Sequence, residues 1–187
     1  TLYMHPFVHL HVHSQYSLLD GQAAVTGLVD KAMADGMPGI ALTDHGNMFG
    51  IKELFNYLKK LGGKNGDKLK EAREKLASAS PEERPAIEAE IEKLERKLAF
   101  KPIFGCEMYV AQKSLHEQVD KRDTGRHLIV LAKNLKGYKN LIKIVSQGFT
   151  EGFYSHPRTD KQALASHREG LIVASACLGG EIPRLIQ

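Results

Sequence analysis

Short apolar runs alternate with amphipathic helical stretches along this sequence, and no other feature limits its choice of fold as strongly. Residues 7–13 alternate aliphatic side chains with histidines, the period of two shown by a strand with two different faces. Residues 25–33 then repeat apolar side chains at helical spacing, and Gly36 follows where a helix C-cap favours glycine. We therefore expect a strand that leads into a helix.

The same alternation continues along most of the chain. Residues 39–43 form a second apolar run that ends in Asp44-His45-Gly46, and residues 51–58 indicate an amphipathic helix that we expect to end at Gly62-Gly63. Further elements are a helix predicted at 138–145 and strands predicted at 102–111, 127–133 and 170–176. Strands that alternate with helices are typical of an α/β fold with a mainly parallel sheet.

Residues 64–101 interrupt this alternation with a segment rich in lysine, glutamate, arginine and alanine. Two apolar stripes at helical spacing, within 69–76 and 87–98, are separated by a proline-containing stretch. This pattern predicts a helical hairpin inserted into the domain. A nucleic-acid clamp is the alternative interpretation, but the interleaved acidic and basic residues favour a solvated insertion.

Composition limits the class of protein. A chain of 187 residues with 42% hydrophobic content can bury one substantial core, so we expect a single domain. It has no apolar run of about 18 residues, and residues 1–6 lack the blocks of a signal peptide, so we expect a cytoplasmic protein without a membrane partner. The net charge of +4 is compatible with an anionic partner without indicating one. The two cysteines, Cys106 and Cys177, are expected to be reduced.

Histidine is the residue type that points to function. Four of the nine histidines lie within one short stretch: His5, His9, His11 and His13. The alternation of residues 7–13 puts the last three on one face of the predicted strand. His11 and His13 would then lie about 7 Å apart at the backbone, close enough to bind one metal ion or two adjacent ones. For an isolated His-x-His pair, two exposed or hydrogen-bonded histidines are an equally good interpretation.

Acidic residues accompany the same predicted strands. Asp20 comes after the first strand, Asp44 and His45 come after the second, and Glu107 lies in the third. In α/β proteins, functional sites gather at strand ends. Mixed histidine and carboxylate ligands suit zinc, manganese or iron, and such ions can activate water and neutralise a phosphate. The pattern therefore favours phosphoester chemistry.

Five segments resemble, in order, the motifs of the PHP (polymerase and histidinol phosphatase) domain of bacterial DNA polymerase III alpha subunits: 9–21, 42–47, 105–109, 127–134 and 174–183. Small stand-alone PHP phosphatases share His-x-His and Asp-His-Gly, whereas the segments 16–21, 152–154 and 177–183 resemble the polymerase branch. The resemblance implies an α/β fold of the PHP type, a distorted (β/α)7 barrel with metal ions at one mouth. Residues 1–187 would be the N-terminal part of this domain, with 64–101 as its charged helical insertion.

One motif of the family is absent from the sequence. The last family motif, Asp-x-His, does not occur in these 187 residues. In addition, an open sheet of five strands would leave an unpaired edge. We therefore expect a barrel that is truncated before its last strands.

The resemblance also implies which residues hold two or three divalent ions, with Zn, Mn, Fe and Mg as the candidates. The implied ligands are His11, His13, Asp20, His45, Glu107 as a bridge, His127 and Cys177. Asp44 would orient a neighbouring ligand, and His9 would lie in the core or behind the ligands. His127 begins its predicted strand, so either that strand runs the opposite way or the ligand comes from a loop. For Cys177, a small buried apolar residue is the alternative.

The implied function is that of the N-terminal PHP domain of a replicative DNA polymerase, a nucleotidyltransferase. Its implied partners are DNA, the remainder of the alpha subunit, a proofreading exonuclease subunit and the sliding clamp. A metal-bound water would attack a terminal phosphodiester, which is 3′-to-5′ exonuclease action during DNA replication. Arg158 could hold the substrate phosphate through its planar fork, with an ordinary surface ion pair as the alternative.

Two rival functions remain open at this point. One is a non-catalytic, metal-organised scaffold that stabilises the polymerase and docks a separate proofreading exonuclease. The other is a small-molecule phosphatase similar to histidinol phosphatase, which the polymerase-type segments disfavour.

Overall fold

The computed structural model describes residues 7–18, 20–117, 119 and 123–187, so His5 and the other residues before Phe7 lie outside the described part. The elements are α1 (Val25–Ala34), β1 (Gly39–Leu42), α2 (Ile51–Ser78), α3 (Arg84–Leu98), β2 (Lys101–Val110), β3 (Arg126–Ala132), α4 (Leu135–Thr150), β4 (Phe153–Tyr154), β5 (His156–Thr159), α5 (Lys161–Ser166), β6 (Leu171–Ser175) and α6 (Glu181–Ile186). None of the helices in this part combines the length and the apolar character that a bilayer crossing requires.

Strand β2 is the centre of a mixed sheet. Strand β1 runs parallel to the first half of β2, and β5 runs parallel to its last two residues. Strand β3 lies antiparallel to β2 along the other edge, and β6 lies antiparallel to β3. The α/β class is confirmed, but the expectation of a mainly parallel sheet is wrong. Apolar spacing marks a strand without fixing its direction.

Residues 7–13 run alongside β1 without forming a regular strand. The carbonyl oxygens of His9 and Val12 accept hydrogen bonds from the backbone N–H groups of Ala41 and Thr43, at 3.0 and 2.9 Å. The segment therefore advances three residues, from His9 to Val12, while the chain along β1 advances two, from Ala41 to Thr43. It contains one extra residue, as at a β-bulge. The extra residue breaks the period of two, so His9 no longer shares a face with the histidines that follow it.

Helix α2 runs through Gly62 and Gly63, where we expected it to end, and continues to Ser78. A mid-helix glycine costs only about 1 kcal/mol relative to alanine, and burial on the far side of the glycines offsets this cost. Leu69 and Ala72 pack against Leu94 of α3 in a small buried cluster. The helical hairpin is therefore the second half of α2 together with α3, without a break from the helix before it.

The helices cover one face of the sheet. Leu42 packs against α1 and α2, while Cys106 and Val130 pack against α4. Residues that alternate with these point to the other face, where Ala41 and Ile129 form a separate small cluster. Glu107 follows Cys106 and therefore lies on this second face, away from the helices.

Candidate metal centre

Glu107 lies at the centre of a group of polar side chains from five separate segments, and its own side chain is fully buried. One carboxylate oxygen, Oε2, lies 2.9 Å from His11 Nε2 and 2.6 Å from His13 Nε2. The other, Oε1, lies 2.8 Å from His127 Nδ1 and 3.7 Å from Cys177 Sγ. One carboxylate thus forms hydrogen bonds with three imidazoles and a thiol.

A second carboxylate, that of Asp20, lies at the exposed side of this group. Its Oδ2 atom is 2.5 Å from His13 Nδ1 and 3.1 Å from His45 Nε2. The other ring nitrogen of His45, Nδ1, is 3.2 Å from Glu107 Oε2. That nitrogen is buried and makes no hydrogen bond to any described residue, because the short distance lacks hydrogen-bond geometry. His45 therefore presents a ring nitrogen to the group without using it.

Asp44 joins the first two segments of the site beneath the ligand candidates. Its carboxylate accepts hydrogen bonds from the backbone N–H of Ser14 and from the hydroxyls of Ser14 and Ser17, at 2.6 to 2.8 Å. The Ser17 hydroxyl in turn accepts a hydrogen bond from the backbone N–H of His45. Asp44 therefore holds Ser14 and Ser17, which lie next to His13 and against the backbone of His45.

Gly46 allows the His45 loop to approach its neighbours closely. Its φ is +64°, in the left-handed region that favours glycine. A Cβ atom here would lie 2.7 Å from Pro157 Cγ and 3.1 Å from Tyr109 Cε2. The Asp-His-Gly motif thus combines a buried carboxylate, a ligand candidate and a turn that only glycine fits.

The antiparallel direction of β3 brings His127 to the site. Because β3 runs opposite to β2, its first residues lie beside the last residues of β2, and His127 pairs with Tyr109. Of the two explanations open for His127, a strand that runs the opposite way is therefore correct. Gly179 packs on the imidazole, since a Cβ atom there would lie 3.1 Å from ring atoms of His127. This close approach places Cys177 Sγ 3.4 Å from His127 Nδ1.

The charges of the site shift one another's pKa values. Burial alone would raise the pKa of Glu107, but hydrogen bonds from His127, His13 and His11 outweigh it and hold this pKa well below its ordinary value. The hydrogen bond to Glu107 raises the pKa of His13, against the opposing effect of burial. Burial lowers the pKa of His45. Glu107 is therefore ionised, and the site concentrates negative charge at one buried point.

The arrangement fits divalent metal ions. Ligand atoms around a tetrahedral zinc ion lie about 3.3 Å from one another, given zinc–nitrogen bonds of about 2.0–2.1 Å. Three overlapping groups bring one donor atom from each residue within 4.8 Å of the others: His11, His13 and Glu107; His13, Asp20 and His45; His45, Glu107 and His127. Because His13, His45 and Glu107 each belong to two groups, the donors could serve adjacent ions bridged by shared residues.

Arg158 lies away from this site and corrects a prediction. Its side chain is only 2% exposed, and its guanidinium lies 3.3 Å from the buried carboxylate of Asp123. The same guanidinium donates to the carbonyl oxygens of Leu115, Glu117 and Gly152, at 3.1 to 3.3 Å. The N–H groups of its guanidinium bind acceptors inside the protein, so Arg158 does not reach a substrate phosphate. Its hydrogen bonds instead connect neighbouring loops.

His9 is also placed differently from the other histidines of its segment. It is exposed, and its ring packs edge-on against Phe7 at a centroid distance of 4.7 Å. The extra residue that follows it turns it away from Glu107. The expectation that His9 lies in the core or behind the ligands is therefore wrong.

Sequence reasoning missed an aromatic stack beside the site. Tyr109 lies between His45 and His156, stacked on both rings at centroid distances of 5.8 and 4.4 Å. Its ring also meets His127 edge-on at 5.1 Å. Burial, with Glu107 nearby, raises the pKa of Tyr109 to about 12. Its position two residues after Glu107 on one strand is the signal that could have placed Tyr109 on the same face.

Comparisons of the sequence with known proteins found a matching family and several relatives. The PHP domain family matches residues 9–187. DNA polymerase III subunit alpha of Borreliella burgdorferi is 43% identical over 182 residues, which cover 96% of this chain and 13% of that protein. The same subunit of Treponema pallidum is 40% identical, covering 96% of this chain and 12% of that protein.

A third relative is more distant. DNA polymerase III subunit alpha of Thermus aquaticus is 37% identical over 187 residues, again covering 96% of this chain and 12% of that protein. The chain thus spans about an eighth of the length of these relatives. With its ligand candidates gathered around Glu107 and its match over residues 9–187, the chain belongs to the PHP domain family.

Proposed function

We propose that this chain is the PHP part of a replicative DNA polymerase III alpha subunit, a cytoplasmic enzyme, and that it hydrolyses phosphodiesters as a 3′-to-5′ exonuclease. The observation that supports this most is the shared use of Glu107 by the donor groups around it. A single carboxylate that serves several imidazoles is suited to bridge adjacent ions. The seven-stranded barrel expected for the family belongs to the same proposal.

In this proposal, two or three ions are held by His11, His13, Asp20, His45, Glu107, His127 and Cys177. Bound there, Zn, Mn, Fe or Mg would activate water and neutralise the charge of a scissile phosphate. The chain's own residues position these ions. Asp44 fixes the segments that carry His13 and His45, and the half-exposed Asp20 side chain lies at the open side, where substrate would enter.

A second candidate function is the non-catalytic scaffold, and one observation favours it. The site joins segments that are far apart in sequence, because Glu107 contacts His11 at one end and Cys177 at the other. A metal bound between such segments contributes its binding free energy to folding. As a scaffold, the domain would stabilise the polymerase and dock a separate proofreading exonuclease and the sliding clamp.

Release of a mismatched terminal nucleotide tests the catalytic proposal. Full-length polymerase would be given a primer with a mismatched 3′ end and Mn or Zn, without deoxynucleotides. We expect the His13→Ala variant to lose at least about 100-fold in release rate, because a shared ligand is removed. His9→Ala is the matched control, since it removes a histidine of the same segment that lies outside the site.

The outcomes separate the two functions. Equal release by the wild type and His13→Ala would assign the activity to another site and overturn the catalytic proposal. The scaffold would be supported if the wild type binds metal but releases no nucleotide, and if His13→Ala has a lower melting temperature than the wild type. Metal-dependent capture of a proofreading subunit would support it as well. Turnover of histidinol phosphate would instead indicate the small-molecule phosphatase.

A further inference from the structure

Three exposed phenylalanine rings form a continuous row on the surface. Phe49, Phe149 and Phe153 are 61%, 39% and 58% exposed. The ring centroids of Phe49 and Phe149 are 5.9 Å apart, and those of Phe149 and Phe153 are 6.4 Å apart. Single exposed apolar residues are ordinary, but a contiguous group of large apolar side chains marks a binding surface. We call these three residues the phenylalanine row.

The segments that carry Phe49 and Phe153 also carry residues at the metal centre or beside it. Phe49 follows His45 in one ordered loop, in which the Asn47 side chain accepts a hydrogen bond from Phe49 N–H and donates one to the carbonyl oxygen of His45. Phe153 pairs with Pro157 in the β4–β5 hairpin, which also presents His156 to Tyr109. The row therefore belongs to the same two neighbouring segments as His45 and the aromatic stack, and a ligand longer than a phosphate could contact both.

The charge of the helix that carries Phe149 indicates an anionic ligand. Helix α4, which carries Phe149, contains three lysines and no acidic residue. Lys139, Ile142 and Lys143 are all exposed and lie three or four residues apart, so they share one face of the helix. Glu151 follows the helix, where its carboxylate accepts a hydrogen bond from Gln147. The hairpin of α2 and α3 differs, since its acidic and basic residues are interleaved.

We propose that the phenylalanine row is a stacking platform for the unpaired bases of single-stranded DNA, with Lys139 and Lys143 contacting the backbone. This proposal rests on the proposed function for its substrate class. Aromatic side chains combined with basic residues are the usual means of binding single strands without sequence preference. An acidic peptide would match the lysines, but the continuity with a phosphoester site favours a ligand that carries both phosphates and planar apolar rings.

Equilibrium binding in the presence of EDTA tests this platform without any catalysis. The probe is a fluorescein-labelled oligothymidylate of 12 nucleotides, and its affinity for this chain is measured by fluorescence anisotropy. A 12-nucleotide abasic strand carries the same phosphates without bases. We expect Phe49→Ala and Phe153→Ala each to weaken binding of oligothymidylate about tenfold, as the loss of one stacked base predicts, and to leave binding of the abasic strand unchanged.

Phe55→Ala is the matched control, because Phe55 is 49% exposed but belongs to α2 outside the row. We expect it to change affinity less than about twofold, and we expect Phe153→Tyr, which keeps the ring, to retain binding. Equal affinity of the wild type for the two strands would overturn the proposal, as would equal effects of Phe153→Ala and Phe55→Ala. Either result would favour a protein partner as the occupant of the row. Because no metal is present, failure of the exonuclease proposal would leave this result unaffected.

Discussion

The sheet and its covering helices bury charged side chains, whereas the hairpin of α2 and α3 exposes them. In the body of the domain, Asp44, Glu107, Asp123, Arg158 and Asp160 are all buried. In the hairpin, the buried residues are the polar Asn65 and a narrow apolar seam, and its ion pair between Arg73 and Glu95 is more than half exposed on the arginine side. Both regions are rich in charge, and they use it in opposite ways.

The difference shows what a buried charge requires. Glu107 and Arg158 each have several partners from distant segments, the imidazoles for Glu107 and the carbonyl oxygens for Arg158. Removing one partner of such a group strongly lowers the free energy of unfolding, because the remaining charge is left buried and unpaired. Substituting a charged residue of the hairpin should change the free energy of unfolding little, since water solvates the remaining partner. Substitutions in the two regions should therefore differ in size.

The largest effect is expected at the buried pair of Arg158 and Asp123. Arg158→Ala leaves the carboxylate of Asp123 without its guanidinium, so we expect the free energy of unfolding to fall by about 3–5 kcal/mol. Urea unfolding of this chain measures the change. A loss below about 1 kcal/mol would mean that this buried pair behaves like a surface pair, and the contrast between the regions would fail.

Next in size is the effect of neutralising the central carboxylate. Glu107→Gln keeps the shape but removes the charge that three imidazoles share, so we expect affinity for Zn or Mn to fall at least about 100-fold. Titration against a chelator of known affinity measures it. Glu95→Gln in the hairpin is the control and should leave metal affinity unchanged. Retained affinity in Glu107→Gln would place the metal site elsewhere.

Metal affinity should also depend on pH. The hydrogen bond to Glu107 raises the pKa of His13 from its ordinary value of 6.5, and a proton on His13 competes with a metal ion for the ring. Affinity should therefore fall as pH is lowered through this raised pKa, by about tenfold per pH unit for each proton displaced, and level off above it. Chelator titrations between pH 6 and 9 check the direction. An affinity that is flat across this range would contradict it.

A smaller effect tests the continuity of α2. If the helix runs through Gly62 and Gly63, alanine is better at both positions, and no neighbouring atom lies within 4 Å of the added Cβ atoms. We expect the double substitution to raise the free energy of unfolding by about 1–2 kcal/mol. If the helix ended there in a left-handed turn, the same change would destabilise the protein. Thermal or urea unfolding distinguishes the two signs.

The smallest effect is expected at the surface pair of the hairpin. Arg73 Nη2 lies 2.7 Å from Glu95 Oε1, with both side chains largely in water. Arg73→Ala should therefore change the free energy of unfolding by less than about 0.5 kcal/mol. The measurement is the same as for Arg158→Ala, and the ratio of the two results quantifies the contrast. An effect near that of Arg158→Ala would show that the hairpin contributes charge interactions that its exposure does not suggest.

Local pattern was enough to predict most elements of this fold. The spacing of Val25, Val29 and Ala32 predicted α1, and the run from residue 39 predicted β1, because each pattern reports which side of an element is buried. Direction and continuity were not predictable. The course of β3 and the passage of α2 through two glycines depend on contacts with distant residues, which apolar spacing does not record.

The candidate site shows the same division. The structure brings together side chains that the motifs pointed to, among them His11, His45 and Glu107. Arg158 was misjudged because a buried ion pair and an exposed phosphate-binding arginine look alike in sequence. His9 was misjudged because one extra residue in an irregular segment reverses the face of a side chain, and nothing in the alternation of residues 7–13 reveals it.

The uninterrupted course of α2 connects the hairpin directly to the loop that carries His45. The helix begins six residues after His45 and extends for 28 residues, which corresponds to about 42 Å at 1.5 Å per residue. No loop separates its two halves, so backbone hydrogen bonds of the helix connect the outer end to the inner end. A single helix therefore joins the tip of the hairpin to the loop that places the His45 imidazole beside Glu107.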